Sequence, residues 1–203
     1  MPRLTLASLV CATALGTGKA YAGAQIEEKL IPSVQTALAS AIADRGAPRL
    51  IGDPHVTQAW IAEMSARLAR RIPDAEQRTE FLITVQYEAS RAGLDPQLVL
   101  AVIQHESAFR KYAVSTASAR GYMQVMPFWV RLIGSPEHNL FHLRTNLRYG
   151  CVILRHYLDM ENGNVVRALA RYNGSLGRFD YPNTVLSYLE RYWSWKPPGA
   201  PAN

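Results

Sequence analysis

The chain has 203 residues, of which 48% are apolar and 19% are charged. Such a composition allows one packed domain with a small extension, and it excludes a wholly disordered chain. The 22 basic and 16 acidic side chains leave a formal net charge of +6, which favours an anionic partner such as nucleic acid, a lipid surface or cell wall, or else is scattered over a solvated surface.

Residues 1–22 predict a secretory signal peptide. Arg3 gives a basic start, Leu4 to Gly18 carry no charge, and Ala20-Tyr21-Ala22 is typical of a cleavage site. The apolar stretch is too short to span a bilayer, and no later stretch is long enough. The alternative is a first helix of the fold. Loss of Arg3 and Lys19 would lower the net charge from +6 to +4. We therefore expect export across the inner membrane and a periplasmic location.

The rest of the chain predicts helices almost throughout. Asp53-Pro54 and Asp95-Pro96 are typical helix starts, Asp74 is a candidate cap, and no long run alternates with period 2. The predicted helices cover residues 25–43, 54–72, 75–92, 96–109, 127–133, 145–160, 164–173 and 182–193. We expect an all-α fold with a helical extension at 23–75, a catalytic domain at 76–193 and a disordered tail at 194–203.

The two cysteines predict neither a disulfide nor a metal site. Cys11 lies in the presumed signal peptide, so Cys151 would be alone in the processed chain. Cys151 follows Gly150 in a helical pattern, where a small buried thiol is more usual than a nucleophile. The five histidines are scattered, and none has zinc spacing with a cysteine. We expect no metal and no other cofactor.

Glu106 is the first candidate for chemistry. Val99, Val102 and Ile103 form an apolar stripe on the predicted helix, and Glu106 falls on the same face. Burial there would raise the pKa of the carboxyl and keep it protonated near neutral pH, as a general acid requires. An ion pair with Arg110, four residues later, would explain the same position equally well.

Several ordered motifs follow Glu106. The chain reads Glu106-Ser107-Ala108-Phe109, then Val114-Ser115, and then Gly121-Tyr122-Met123-Gln124-Val125-Met126-Pro127. Asn139-Leu140-Phe141, Asn146 with Gly150, and Ala170-Arg171-Tyr172-Asn173-Gly174 come later in the same order. Residues 80–193 thereby resemble the soluble lytic transglycosylase (SLT) domain, whose pattern is Glu-Ser-x-Phe, Val-Ser, Gly-Leu-Met-Gln and Met-Pro.

The resemblance implies a lysozyme-like α domain of seven or eight short helices, related to goose-type lysozyme. It makes Glu106 the sole catalytic acid and base, with no cofactor. It directs the Tyr172 hydroxyl at Glu106. It also implies a set of residues that line the glycan cleft: Ser115, Gln124, Met126, Tyr172 and Asn173.

Two departures from the family pattern concern the turn before Gln124. Ser118 stands where a glycine is common, so the turn must either avoid a positive φ or hold a strained residue. Tyr122 replaces the usual leucine, and it either adds an aromatic edge to the cleft or fills space in the core. Neither change removes a chemical group.

These observations predict a peptidoglycan lytic transglycosylase. It would cleave the β-1,4 bond between N-acetylmuramic acid and N-acetylglucosamine and leave 1,6-anhydro ends. A lysozyme-like hydrolase is the nearest alternative, but it needs a second carboxylate. An inactive glycan-binding accessory of a secretion system is another. The expected partners are peptidoglycan strands and, at the level of the family, envelope-spanning secretion or conjugation machinery. Nucleic acid is not expected, because no recognition motif is present.

Overall fold

The computed structural model describes residues 25–197 and residue 199. These residues form eight α-helices and a final π-helical turn, with isolated β-bridges in place of strands. The helices are α1 (Pro32–Ala43), α2 (Pro54–Leu68), α3 (Ala75–Arg91), α4 (Pro96–Ser107), α5 (Phe128–Ile133), α6 (Leu143–Met160), α7 (Val165–Tyr172) and α8 (Asp180–Tyr188), and the π-helix is Leu189–Trp193. The predicted all-α fold is confirmed.

Three helix starts follow from local sequence. The carboxylates of Asp53, Asp74 and Asp95 each accept a hydrogen bond from a backbone N–H of the first turn. Pro54 and Pro96 occupy the first helical position, where the missing N–H removes no intrahelical bond. The start signals in the sequence are therefore chemically real caps.

Helix α4 lies at the centre of the core. It packs against α3, α8 and the π-helix, and nine of its twelve residues are buried. Val99, Val102 and Ile103 are fully buried, as the stripe predicted. A helix enclosed on nearly all sides has little room to move. The end of α4 is accordingly a well-fixed place for a functional group.

The first predicted helix is wrong at its start. The sequence favoured a helix from residue 25, whereas residues 25–31 are non-helical and α1 begins at Pro32. The Gln25 side chain is buried, and its Oε1 accepts a hydrogen bond from Trp129 Nε1 at 2.8 Å. Glu27 also pairs with Arg131 at 3.2 Å. These long-range contacts hold the segment against α5 in place of a helical turn.

The N-terminal helices belong to the same core as the rest of the chain. Trp60, Met64 and Leu68 of α2 are buried together with residues of α3 and α4. The buried carboxylate of Glu88 in α3 binds Arg148 of α6 at 2.9 Å. The Arg148 guanidinium also donates to the carbonyls of Ile42 and Asp44 at the end of α1. One charged network therefore joins α1, α3 and α6.

The last predicted helix is wrong in register. Residues 182–193 were expected as one α-helix, in which Tyr192 would share a face with Val185, but Tyr192 is 49% exposed and Trp193 is buried. A π-helical turn holds more residues than an α-helical turn, so it rotates the following side chains around the axis. Trp193 Nε1 then donates to Gln104 Oε1 at 2.9 Å, which ties the end of the domain to α4.

Other expectations fall partly outside the described residues. No helix among residues 25–197 is both long and apolar enough to cross a membrane. Cys151 is free and buried, and burial raises the pKa of its thiol. Cys11 and the presumed signal peptide lie outside the described residues, so the predicted segment boundaries stay predictions. Of the predicted tail, Trp195 packs partly buried against the core.

Candidate active site

Glu106 lies in the last turn of α4. Its side chain follows the face of Val99, Val102 and Ile103, and the residue is only 9% exposed. Arg110, the alternative partner, is exposed and donates from Nε to the Ser107 carbonyl at 3.0 Å. The structure therefore records no ion pair between Glu106 and Arg110. Burial without an arginine raises the pKa of Glu106 from 4.5 to about 7.

The hydroxyl that reaches Glu106 belongs to Tyr181 of α8. Tyr181 Oη donates to Glu106 Oε1 at 2.6 Å, and both side chains are buried. A donor to a carboxylate stabilises its charged form, so this bond lowers the pKa of Glu106 and opposes the larger effect of burial. The two effects leave the carboxyl able to hold a proton or to release one near neutral pH.

The expected direction of the Tyr172 hydroxyl is wrong. Tyr172 is 1% exposed, and its hydroxyl donates to the Met123 carbonyl at 2.8 Å. A phenol hydroxyl can donate one hydrogen bond, and the Met123 carbonyl accepts it. The ring lies near enough for the charge of Glu106 to contribute to a raised pKa of Tyr172. The structure thus brings Tyr172 close to Glu106 but gives the hydrogen bond to Tyr181.

Tyr181 was not predicted, although the sequence holds a weak signal for it. It lies four residues before Val185, an apolar residue of the last predicted helix, and residues four apart share one face of a helix. His105 was also not predicted, and its ring meets the Tyr181 ring edge to face with centroids 4.6 Å apart. Burial lowers the pKa of His105, so its imidazole is neutral at neutral pH.

The chain reverses sharply after Glu106. Ala108 and Phe109 are consecutive non-glycine residues in the left-handed region, with φ of 50° and 65°. The predicted helix to residue 109 therefore ends at Ser107 instead. The Phe109 ring packs against Phe81 and Trp193, with centroids 6.0 and 5.4 Å away. Aromatic packing holds the strained reversal in place.

Ser115 and Gln124 lie in a compact loop that connects α4 to α5. Gln124 is buried with φ of 48°, and its Nε2 donates to the carbonyls of Ala113 and Gly121 at 3.1 and 2.9 Å. Ser115 is half-buried, and its Oγ accepts from the Ala119 N–H at 3.1 Å. Both side chains therefore stabilise the loop. Because the Gln124 amide nitrogen donates within the loop, the amide oxygen remains as the acceptor of this side chain.

The side chain of Asn146 in α6 fixes this loop through hydrogen bonds. It is fully buried, and its Nδ2 donates to the carbonyls of Arg120 and Leu140, each at 2.8 Å. Its Oδ1 accepts from the Met123 N–H at 2.8 Å. The absence of a side chain at Gly121 allows this approach, because a Cβ there would lie 2.5 Å from Asn146 Nδ2. One amide thus determines the path of the segment that carries Gln124.

The remaining predicted residues lie around the same region. Met126 is partly buried against the core, and Asn173 follows α7 and donates from Nδ2 to Ser175 Oγ at 3.0 Å. Within the described part of the chain, no donor reaches the buried Oδ1 of Asn173. Tyr122 packs its ring on Phe81 with centroids 5.1 Å apart, so it fills core space. No group of three metal-ligating side chains is found in residues 25–197.

The chain is similar in sequence to known transglycosylases. It is 31% identical over 105 residues to a transglycosylase of Enterobacteria phage PRD1, covering 52% of this chain and 38% of that protein. It is 32% identical over 114 residues to the membrane-bound lytic murein transglycosylase C of Haemophilus ducreyi, covering 48% of this chain and 31% of that protein. The chain therefore spans less than two fifths of the length of these relatives.

A solved structure and a family model complete the comparison. An inactive mutant of the lytic transglycosylase Slt from Pseudomonas aeruginosa aligns with a TM-score of 0.48 and 23% identity, over 74% of this chain and 38% of that one. The model of the transglycosylase SLT domain matches residues 83–183, about half of the chain. This matched segment contains the Glu106 helix, the loop fixed by Asn146 and the Tyr181 donor, and on it we assign the chain to the transglycosylase SLT domain family.

Proposed function

We propose that this chain is a peptidoglycan lytic transglycosylase with Glu106 as its single acid and base. The observation that carries the proposal is the Glu106 carboxyl, which is buried without a cationic partner among the described residues and has a pKa of about 7. A group poised in this way donates a proton in one step and accepts one in the next. The substrate would be the β-1,4 bond between N-acetylmuramic acid and N-acetylglucosamine.

The proposed reaction has two proton transfers. Protonated Glu106 donates to the glycosidic oxygen while the bond from that oxygen to the muramyl C1 breaks. The Glu106 carboxylate then takes the proton of the muramyl C6 hydroxyl, whose oxygen bonds to C1 and closes a 1,6-anhydro ring. Glu106 ends protonated, as it began, and no water is consumed. The Tyr181 hydroxyl, 2.6 Å from Oε1, would stabilise the intervening carboxylate.

A hydrolytic alternative is less well supported. Inverting and retaining hydrolases commonly use a second carboxylate near the acid. No other carboxylate of the described residues contributes to the shifted pKa of Glu106. Glu161 is held by Arg167 and Arg171. We therefore favour attack by the C6 hydroxyl of the sugar over attack by water.

Substrate contacts are proposed at the loop and at α7. The Asn173 Oδ1, buried without a donor, would accept a hydrogen bond from the bound sugar. The Gln124 amide oxygen would accept an N–H of an acetamido group, since its amide nitrogen already donates to two carbonyls. Ser115, Met126 and Tyr172 complete the proposed cleft.

Mass spectrometry of digested peptidoglycan tests the reaction. The expected products end in 1,6-anhydro-N-acetylmuramic acid, and reducing ends would identify a hydrolase instead. A Glu106→Gln variant should release no product while keeping its circular dichroism spectrum. If that variant clears cell wall as well as the wild type does, Glu106 is not the catalytic acid, and if neither protein releases product, the glycan-binding alternative is correct. Glu190→Gln, at an exposed glutamate of the π-helix, serves as the matched control.

The cellular setting is part of the proposal. A signal peptide at residues 1–22 would deliver the enzyme to the periplasm, where it would open the wall locally, including for envelope-spanning secretion or conjugation machinery. The N-terminal sequence of the protein recovered from a periplasmic extract tests this. Recovery in the cytoplasm with residues 1–22 intact would contradict it.

A further inference from the structure

A row of exposed aromatic and cationic side chains borders the Ser115 loop. The Tyr112 and Phe141 rings lie with centroids 5.8 Å apart. The Lys111 ammonium lies 5.4 Å from the centre of the Tyr112 ring, and the Arg120 guanidinium carbon lies 6.0 Å from the centre of the Phe141 ring. We call these four side chains, Lys111, Tyr112, Arg120 and Phe141, the aromatic–cation surface.

Core packing does not explain this surface. Tyr112 is 71% exposed, Phe141 is partly buried, and both cations are exposed. Neither Lys111 nor Arg120 forms an ion pair with any carboxylate of the described residues. Adjoining aromatic rings left in water beside unpaired positive charge are typical of a binding surface.

The surface is joined rigidly to the proposed cleft. The Ala113 carbonyl, next to Tyr112 in the chain, accepts the Gln124 side-chain amide at 3.1 Å. The Arg120 N–H donates to the Val125 carbonyl at 3.0 Å. The Asn146 Nδ2 donates a hydrogen bond to the Arg120 carbonyl. The surface and Gln124 therefore belong to one hydrogen-bonded loop, and neither can shift far without the other.

A recess lies beside the surface. It has a volume of about 230 Å³, and its lining includes Lys111, Tyr122, His142 and Arg144. Glu80 is the acidic residue among its lining groups. Arg144 is already paired with Glu88 at 3.3 Å, so Lys111 is the lining residue that joins the recess to the surface.

We propose that the aromatic–cation surface binds a second stretch of the peptidoglycan strand, beyond the sugars held at Glu106. The C–H face of a sugar ring would pack on Tyr112 and Phe141. A carboxylate of the wall polymer, from a stem peptide or from a lactyl group that carries no stem peptide, would pair with Arg120 and Lys111. This inference rests on the proposed function for its substrate, and its binding test does not depend on cleavage.

Cosedimentation with purified sacculi measures the binding. The Glu106→Gln background prevents turnover, and Tyr112→Ala and Arg120→Ala are added to it singly and together. We expect each single change to weaken binding at least threefold and the pair at least tenfold. Tyr192→Ala and Arg70→Ala are the matched controls, because both residues are exposed and lie outside the surface. Equal binding by the double variant and the controls would overturn the inference.

Modified sacculi identify the carboxylate. Amidation of their carboxyl groups should weaken the binding of the Glu106→Gln protein. The remaining binding should equal that of the Arg120→Ala variant to untreated sacculi. An amidase removes the stem peptides and leaves free lactyl carboxylates, so lost binding to amidase-treated strands assigns the contact to stem peptides, and retained binding shows that a lactyl carboxylate is sufficient. If amidation has no effect, the cationic part of the inference is wrong.

Turnover separates this inference from the proposed function. With Glu106 present, Tyr112→Ala should lower the ratio of activity on sacculi to activity on a short glycan fragment at least threefold. Absence of 1,6-anhydro products from the wild type would refute the proposed function, and the cosedimentation result would still test the inference. An unchanged ratio in an active enzyme would refute the inference alone.

Discussion

At the scale of single residues, the chemistry depends on two effects that act on one carboxyl in opposite directions. Burial raises the pKa of Glu106, and the Tyr181 hydroxyl lowers it. The net value of about 7 lies where both protonation states are populated in a neutral medium. Without the Tyr181 hydrogen bond the pKa of Glu106 would be higher, and without burial it would be lower.

Tyr181→Phe removes the lowering effect. The pKa of Glu106 should then rise, so the fall in activity at alkaline pH should move to higher pH. We expect kcat to decrease about tenfold or more, because the carboxylate formed during the reaction loses its donor. The pH profile of kcat on sacculi measures this, with Tyr188→Phe as the control on the same helix. A fall that moves to lower pH would contradict the assignment.

Glu106→Gln should stabilise the fold above neutral pH. A glutamate with a folded pKa near 7 binds more protons in the folded than in the unfolded state between pH 4.5 and 7, so stability declines as pH rises through that window. The loss is about 3 kcal/mol at complete ionisation. The neutral amide does not ionise and avoids it.

Urea unfolding at pH 5 and pH 8 measures this effect. The variant should gain stability over the wild type at pH 8, and the gain should shrink towards pH 5. Glu190→Gln should show no such trend. A constant difference at both pH values would show that Glu106 does not titrate in this range.

Sequence could predict Glu106 but not its donor. The position of Glu106 follows from helical spacing, since Val99, Val102 and Ile103 establish the buried face within one element. The donor depends on how the loop between α7 and α8 returns to α4, which local spacing does not contain. The resemblance consequently placed the hydroxyl on Tyr172, whereas the packing places it on Tyr181.

At the scale of elements, the loop before Gln124 combines a strained residue with an indispensable glycine. Ser118 has φ of 68°, so of the two options left by the sequence it takes the strained one. Gly121 has φ of 74° and is enclosed by Asn146 and the Leu140 carbonyl. Substitutions at these two positions should therefore change the free energy of unfolding in opposite directions.

Ser118→Gly should raise the free energy of unfolding by about 0.5–1 kcal/mol, because glycine adopts a positive φ without a steric penalty. Gly121→Ala should lower it, since the new Cβ would lie 2.6 Å from the Leu140 carbonyl oxygen. Chemical denaturation of both variants measures the difference. Stabilisation by both changes would contradict the described path of the loop.

Helix boundaries set by local caps were predictable, and those set by distant contacts were not. Caps such as Asp53 and Asp95 act within three residues and are visible in local sequence. The missed start of α1 depends on Gln25 and Trp129, which are 104 residues apart. The missed π-helical turn depends on Trp193 reaching Gln104, 89 residues away. Tertiary contacts decided both, so local patterns could not.

At the scale of the whole molecule, the N-terminal helices and the SLT segment share one core. Met64 and Leu68 are fully buried against the residues of α3 and α4, and Arg148 joins α6 to the end of α1. The sequence predicted an extension at residues 23–75 without saying how it packs, because it carries no family motif. Because they share one core, the N-terminal helices and the SLT segment should unfold in one cooperative transition.

Met64→Ala should therefore destabilise the whole chain by about 2–5 kcal/mol, as expected for a cavity in a packed core. Tryptophan fluorescence and far-ultraviolet circular dichroism should report one coincident transition. Met160→Ala, at a largely exposed methionine, is the matched control. An early separate transition in Met64→Ala would show that the N-terminal helices unfold independently.

The Glu106–Tyr181 contact also imposes an order on biosynthesis. The two residues lie 75 positions apart, with the donor on the last α-helix of the fold. A chain that emerges with its N-terminus first has completed α4 long before α8 exists. Glu106 acquires its buried, hydrogen-bonded state only when nearly the whole chain has been made and has folded, so an unfinished or truncated product lacks the assembled acid.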